Sequence, residues 1–432
     1  MKNEMKMGAV VFLSLVAAIG GILFGYDTAV ISGTTEIVKA QFGLSTGLEG
    51  WFVGCALIGS IVGVVVAGML SDFLGRKKTM LIAALMFSVS AIGCALCGNF
   101  AQLVAYRMIG GFGIGVVSIV SPVYISEISP ARIRGTMVSL YQLFITIGFL
   151  LAYLMNYLIL RGASLDATAT DIGTRLFNQE YWRGMFGCEA IPDLLFLALI
   201  FFIPESPRWL AIRGQRQDKS EEWKALREPG ILKAVLIGSC IAILGQFMGV
   251  NAVLYYGPKI FQDAGLSGEG SMFSTVLVGV VNMLTTVIAL LIIDKVGRKQ
   301  LVWWGVGGMI VCLLCIGTWF AEGTLPTWFL LTFFLLYVFC TAISISAVVF
   351  VLLSEMYPNR VRGLAMSIAG LALWVGTYLI GQLTPWMLEN LTPAGTFFLF
   401  AFCCLPYLYI MWKYVPETTG KTLEEIEAYW KE

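Results

Sequence analysis

The chain has 432 residues, of which 58% are hydrophobic and only 13% are charged, and its formal net charge is +1. A soluble protein of this length has roughly 45–50% apolar and about 25% charged residues. The composition therefore excludes an ordinary water-soluble protein, and we expect the lipid bilayer, but no nucleic acid, among the partners. The absence of histidine excludes a histidine-ligated metal site and leaves proton transfer to carboxylates. We expect no metal and no cofactor.

The chain contains twelve apolar runs long enough to cross a bilayer, which takes about 20 residues. The amino terminus enters the first run after Lys2 and Lys6 and shows no convincing signal-peptide cleavage site, so we expect this run to be retained. The first six runs cover about residues 9–32, 48–70, 79–98, 101–121, 137–159 and 184–203. The second six cover about residues 231–256, 271–293, 300–320, 327–353, 364–387 and 395–414.

These runs predict an all-α membrane protein with twelve transmembrane helices in two six-helix bundles. We expect a first bundle at residues 1–207, a polar cytoplasmic linker at 208–230, a second bundle at 231–415 and a tail at 416–432. Lysine and arginine concentrate in the loops after the even-numbered runs, which the positive-inside rule assigns to the cytoplasm. Both termini are then cytoplasmic, in the inner membrane of a cell.

A charged motif occurs twice, at corresponding places in the two halves. Asp72-x-x-Gly75-Arg76 follows the second run and Asp294-x-x-Gly297-Arg298 follows the eighth. A glutamate and two arginines follow the fourth and tenth runs, at Glu127, Arg132 and Arg134 and at Glu355, Arg360 and Arg362. A repeat of this size indicates two bundles related by duplication.

We expect these charges to form a gate that holds the cytoplasmic side shut. Glycine permits a tight turn at a helix end, and we predict pairs of Glu127 with Arg134 and of Glu355 with Arg362. The alternative is that the cations only orient the helices in the membrane. The predicted gating residues are Asp72, Arg76, Glu127, Arg134, Asp294, Arg298, Glu355 and Arg362.

Among the ionisable residues of the apolar runs, we single out three. They are Asp27 in the first, Arg107 in the fourth and Glu189 in the sixth. An ionised group in a span costs roughly 2.5–3.5 kcal/mol on insertion scales, which marks it as a functional candidate. A carboxyl that can approach or leave an arginine changes its proton affinity with conformation. We predict proton coupling by these three residues; the alternative is a permanent structural pair of Asp27 with Arg107.

Among the amide side chains in the apolar runs, we single out Gln142, Gln246, Asn251 and Asn282, and Tyr255 follows Asn251 by one helical turn. Amides both donate and accept hydrogen bonds, which suits a polyhydroxylated ligand. The alternative is that they connect helices.

Small residues have a simpler interpretation. The glycine pairs Gly59/Gly63 and Gly111/Gly115 and the ten cysteines are expected to serve packing within the bundles.

The order of motifs resembles the sugar porter family of the major facilitator superfamily along essentially the whole chain. The motifs that carry the resemblance are Gly25-Tyr26-Asp27, Gly75-Arg76-Lys77, Pro122-x-Tyr124-x-x-Glu127, Arg134-Gly135, Pro204-Glu205-Ser206-Pro207-Arg208, Gln246 to Asn251 with Tyr255-Tyr256, Asp294 to Arg298, and Pro416-Glu417-Thr418. The charged set Asp27, Arg107 and Glu189 is similar to that of bacterial xylose–proton symporters.

The resemblance implies a major facilitator fold and a monosaccharide–proton symporter that alternates access between the two sides. It also implies that Phe350 and Trp374 belong to the sugar site, with Phe350 in place of a stacking tryptophan. Two further positions differ: Gly245 stands where the family has a glutamine, and Leu373 stands where bacterial xylose–proton symporters have one. We expect a monomer that binds a small sugar.

Other functions fit the sequence less well. A sugar uniporter, or a symporter for a polyol or another small polar solute, would use the same fold. A membrane receptor would need a signalling domain, and the tail after Pro416 is short. An enzyme is not indicated, because the sequence shows no pair of a nucleophile and a general base.

Overall fold

The computed structural model describes residues 7–130, 133–163, 171–212, 219–323, 326–358, 361–417, 425–426 and 429–430. Within these residues the chain forms helices and no strand. The helices in chain order are α1 (Met7–Phe42), α2 (Thr46–Leu74), α3 (Arg76–Leu96), α4 (Phe100–Ile128), α5 (Arg134–Gly162), α6 (Ile172–Thr174), α7 (Trp182–Gly187), α8 (Ala190–Ile200), α9 (Pro207–Ile212), α10 (Lys219–Leu226), α11 (Pro229–Phe247), α12 (Val250–Asp263), α13 (Gly268–Val296), α14 (Arg298–Glu322), α15 (Thr327–Thr341), α16 (Ala347–Met356), α17 (Arg362–Asn390) and α18 (Thr392–Lys413). Two π-helical segments, Arg175–Gln179 and Ala342–Ser346, lie between α6 and α7 and between α15 and α16.

The membrane-spanning helices overlap the predicted runs. Eleven helical stretches among the described residues are long and apolar enough to cross a membrane. The run predicted at residues 184–203 is divided instead into α7 and α8 by a turn at Cys188 and Glu189. The prediction of an all-α membrane protein is confirmed.

The chain packs as two compact units. Unit 1 comprises Met1–Gln215 with Tyr255–Gly279, and unit 2 comprises Arg216–Leu254 with Val280–Glu432. In unit 1 the most extensive helix packing joins α2 with α4 and α1 with α5. In unit 2 it joins α11 with α17 and α14 with α18. The domain boundaries proposed from the sequence, at residues 207, 230 and 415, stay a prediction.

Helices α2 and α4 meet backbone against backbone. Gly59 and Gly63 of α2 face carbonyl oxygens of α4, and Gly111 and Gly115 of α4 face carbonyl oxygens of α2. A Cβ atom at any of the four positions would overlap the opposing oxygen. This confirms the prediction that the glycine pairs permit close packing within a bundle, as small residues do between transmembrane helices.

The seventh span is broken between α11 and α12. Gly249 at the break has φ 90, a conformation that glycine adopts without steric cost. A Cβ there would overlap the ring of Phe400. The carbonyl oxygen of Met248 accepts a hydrogen bond of 2.7 Å from the hydroxyl of Tyr337. A backbone acceptor released by the break is therefore satisfied inside the membrane, where water is absent.

The two repeated turns are built alike. Gly75 before α3 has φ 93 and Gly297 before α14 has φ 98, as predicted for tight turns. Glu205 accepts hydrogen bonds from the first two backbone amides of α3 at 2.9 and 3.2 Å. Glu417 accepts one from the second amide of α14 at 3.2 Å. Each carboxylate thus stabilises the amino-terminal end of a helix.

Candidate functional site

A buried ion pair lies in the interior of unit 1. The guanidinium of Arg107 on α4 donates to a carboxylate oxygen of Asp27 on α1, and also to the Asp27 carbonyl oxygen at 3.1 Å. Both side chains are 2% exposed. The second carboxylate oxygen, Oδ2, has no hydrogen-bond partner among the described residues; a Cβ at Gly110 would lie 2.8 Å from it. The predicted association of Asp27 with Arg107 is therefore present, and one oxygen of the carboxylate is left without a hydrogen-bond partner among the described residues.

Glu189 lies beside this pair, at the turn between α7 and α8. It is 2% exposed and interacts electrostatically with Asp27 and Arg107. Its Oε1 has no hydrogen-bond partner within the described residues. The structure thus brings all three predicted proton-coupling residues into one cluster.

Arg183, a second buried cation of this region, is already neutralised. It donates to Glu180 at 2.7 Å and to the carbonyl oxygen of Cys97 at 2.7 Å. Burial alone would raise the pKa of Glu180, but hydrogen bonds from Arg175 and Arg183 outweigh it, so this pKa is lowered. Glu180 is therefore ionised at neutral pH and balances Arg183.

A small pocket opens next to the ion pair. Arg107, Thr28 and Tyr255 contribute its polar groups, and the rest of the lining is aliphatic. Of the predicted substrate-binding residues, Tyr255 lies here. Gln142 lies on α5 of the same unit and is half-buried.

Unit 2 holds the remaining predicted substrate-binding residues. Gln246 on α11 accepts hydrogen bonds from Asn251 at 2.6 Å and from Thr377 on α17 at 3.1 Å. Gln246 and Asn251 therefore bond to each other across the break in the seventh span. Trp374 on α17 is buried.

A second small pocket lies in unit 2, and Asn282 lines it together with Tyr337, Thr341 and Ser346. Phe350 on α16 is 46% exposed. The sequence analysis did not single out Tyr337 or Thr341, because tyrosine and threonine are common packing residues in transmembrane helices.

The repeated charges form ion pairs at the ends of the helices. Arg76 donates two hydrogen bonds to Glu127, at 2.9 and 3.0 Å, and lies 3.5 Å from Asp72. Glu127 also accepts from the hydroxyl of Ser206. Glu127 is thus paired with Arg76 and not with Arg134, which is exposed at the start of α5.

The second copy is similar. Arg298 donates to Glu355 at 3.0 Å, and Glu355 also interacts electrostatically with Arg362, the partner predicted for it. Arg362 donates to the carbonyl oxygen of Tyr357 at 3.2 Å. Asp294 lies in α13, but its side chain is outside the described part of the structure, as are Arg132 and Arg360.

With this geometry in view, comparison with known proteins decides the family. A model of the family "Sugar (and other) transporter" matches residues 13–225 and 215–430. The chain belongs to this family. It is 36% identical to the D-xylose-proton symporter of Escherichia coli (strain K12), with 100% of this chain and 98% of that protein aligned. It is also 36% identical to the arabinose-proton symporter of Bacillus subtilis (strain 168), with 98% and 96% aligned.

A solved structure agrees. The partially occluded inward-open conformation of the xylose transporter XylE from E. coli matches with a TM-score of 0.82 at 36% identity, covering 96% of this chain and 100% of that one. The resemblance to the sugar porters is confirmed, and with it the major facilitator fold. The protein is a multi-pass membrane transporter and not an enzyme.

The transporter also contains a charged cluster that the sequence analysis missed. Glu49 at the start of α2 is fully buried; its carboxylate lies 2.6 Å from the ammonium of Lys39 and 2.7 Å from that of Lys259 on α12. Lys259 also lies 3.3 Å from Glu36. We call these four residues the Glu49 cluster. Two of its members are 210 positions apart, so no local pattern could have indicated the contact.

Proposed function

We propose that this transporter carries a monosaccharide together with a proton by alternating access. The observation that carries the proposal is the fully buried pair of Asp27 and Arg107, with one carboxylate oxygen unoccupied. A buried carboxyl that pairs with a cation loses its proton readily, and one that separates from it in an apolar surrounding retains the proton. If the transport cycle changes the distance between α1 and α4 at this pair, conformation and protonation become linked.

The two relatives described above support proton symport, since both are named as proton symporters of pentoses. The driving force is adequate. A membrane potential of about 100 mV supplies roughly 2.3 kcal/mol per charge, which sustains about a 50-fold gradient of solute.

We assign sugar binding to the amides and aromatic residues predicted above, which are Gln142, Gln246, Asn251, Tyr255, Asn282, Phe350 and Trp374. The lining of the unit 2 pocket by Asn282 and the hydrogen bond between Gln246 and Asn251 support a polar site on these helices. We assign gating to the eight residues of the repeated charged motif. We further propose that both termini are cytoplasmic and that the transporter acts as a monomer.

The test is a pair of transport measurements on protein reconstituted in liposomes, with labelled D-xylose, L-arabinose and D-glucose each used separately. Counterflow measures exchange without net proton movement, and uptake driven by a pH gradient measures coupling. Asp27→Asn mimics the protonated form, so it should retain counterflow but lose accumulation. Arg107→Gln should impair both, because the carboxylate then lacks its counter-charge. Glu322→Gln, on the exposed end of α14, should behave as the unmodified protein.

Two results would contradict the proposal. Full accumulation by Asp27→Asn would make the aspartate structural. Counterflow without any proton-driven accumulation by the unmodified protein would make it a uniporter.

A further inference from the structure

A third carboxyl group lies beside Asp27 and Glu189. Asp193 on α8 is 0% exposed, and neither of its carboxyl oxygens has a hydrogen-bond partner among the described residues. Its backbone amide donates to the carbonyl oxygen of Glu189 at 3.2 Å. The two acids are thus four residues apart on one helical turn and share a face of the sixth span. Asp193 also interacts electrostatically with Asp27.

The charges of this cluster do not balance if all three carboxyls are ionised. Arg107 is the cation that reaches it, and that side chain is bonded to Asp27. Arg183 is occupied by Glu180. Lys77 reaches the far end of this span, where it donates to the carbonyl oxygen of Phe201.

The other titratable groups around the acids are neutral at physiological pH. They are the phenol of Tyr26 on α1 and the thiols of Cys55 on α2, of Cys94 on α3 and of Cys188 in the turn. Isolated charges in a low-dielectric interior are strongly disfavoured. Since Arg107 is the one cation among the described residues that faces these three acids, we expect two of the three to carry protons in this conformation, with Asp27, which holds the cation, ionised.

A neutral acid with no hydrogen-bond partner destabilises a fold compared with an apolar residue of similar size. Packing therefore gives no reason for an aspartate at position 193. The position of Asp193 along the sixth span suggests a functional reason instead. Asp193 lies about 6 Å beyond Glu189, four residues at 1.5 Å each, toward the end of the span that carries Pro204 and Glu205, which we predict to be cytoplasmic.

We propose that Glu189 and Asp193 form a second proton-binding site, which takes the proton that Asp27 releases and passes it along the sixth span. The proposal rests on the proton coupling proposed above. As Asp27 pairs with Arg107, its O–H bond breaks and a new O–H bond forms on Glu189 or Asp193. The proton then leaves from Asp193, so no oxidant, reductant or other reactant is required.

The first test observes the proton directly in the full-length protein in lipid. Infrared difference spectra between mildly acidic and alkaline pH report the carbonyl stretch of buried protonated carboxylic acids. We expect such a band in the unmodified protein, a smaller band in Asp193→Asn, where the protonated carboxyl of Glu189 remains, and the full band again in Asp193→Glu. A band that Asp193→Asn leaves unchanged would overturn the proposal. Thermal unfolding of each variant checks that it is folded.

The second test compares coupling with exchange for labelled D-xylose, L-arabinose and D-glucose, each used separately. Asp193→Asn should lower proton-driven uptake at least about tenfold, the size of effect expected when a proton-transfer group is lost. Its counterflow should fall much less, and Asp193→Glu should recover the uptake. Glu322→Gln serves as the control.

The outcomes separate the two proposals. If the unmodified protein does not accumulate any of the three sugars, the proposed symport fails and the relay fails with it. If it accumulates a sugar and Asp193→Asn does so equally well with the same pH dependence, the relay alone is overturned.

Discussion

Replacing Lys259 by methionine tests the Glu49 cluster, since methionine keeps most of the side-chain volume and removes the charge. At 2.7 Å from Glu49 two unit charges attract by about 6 kcal/mol in an effective dielectric constant of about 20. Much of this offsets desolvation, and removing one partner of a buried pair costs about 3–5 kcal/mol in practice. Because Lys39 stays beside Glu49, we expect about 3 kcal/mol, which is roughly a 150-fold shift in a two-state equilibrium.

The equilibrium in question is between the arrangement in which Lys259 of α12 contacts Glu49 of α2 and one in which this contact is broken, and Lys259→Met should favour the second. Spin labels at Gly47 on α2 and Gln262 on α12, both exposed, report the distance between these two helix ends. In the unmodified protein we expect a short distance to dominate, and in Lys259→Met a longer one. The matched control is Lys39→Met, whose effect should be smaller because Lys39 is more exposed than Lys259.

A double-mutant cycle with Glu49→Gln decides whether the ion pair is responsible. Once Glu49 is neutral, Lys259→Met should add little. An unchanged distance distribution in Lys259→Met, or an equal effect in both backgrounds, would refute this reasoning.

Two further predictions concern the repeated charges and the Asp27 site. Arg76→Gln should slow transport at least about tenfold, while the Kd for sugar, measured by equilibrium binding, changes little. The control is Arg161→Gln, which removes an exposed ion pair and should change neither the transport rate nor the Kd. If the transport rate of Arg76→Gln were unaffected, the gating hypothesis would fail, and the repeated cations would serve only to orient the helices in the membrane. Gly110→Ala would bring a Cβ within 2.8 Å of the Asp27 carboxylate, so proton-driven uptake should fall and the protein should lose about 1–3 kcal/mol of stability. Gly135→Ala, in open space, should unfold at the same temperature as the unmodified protein, and equal melting and uptake in Gly110→Ala would contradict the tight contact.

The spans were predictable because hydropathy records burial in lipid residue by residue. The interruptions were not, since a window of about 20 residues averages over a single turn. The break at Gly249 depends on packing against Phe400 and on a hydrogen bond from Tyr337. These contacts come from helices far along the chain.

The candidate site was predictable where a residue is chemically out of place, as Asp27 and Arg107 are in apolar helices. Partner choice was harder to predict. Glu127 was expected to pair with Arg134, which is near it in sequence, but the turn between α2 and α3 places Arg76 against it instead. Asp193 was overlooked although it lies in the sixth apolar run, because the sequence does not tell which carboxyls of a run are enclosed by other helices, and only the structure shows that it is buried.

The backbone contact between α2 and α4 supplies an internal ruler for spectroscopy. Because a Cβ at any of the four glycines would overlap an opposing carbonyl oxygen, no side chain separates the two helices at these positions, and sliding would force atoms to overlap. Labels at Val62 and Ala105, exposed positions on the two helices, should therefore keep one separation in every step of transport. A change in that separation would indicate a damaged sample. A constant separation provides a reference for every other distance measured on the same protein.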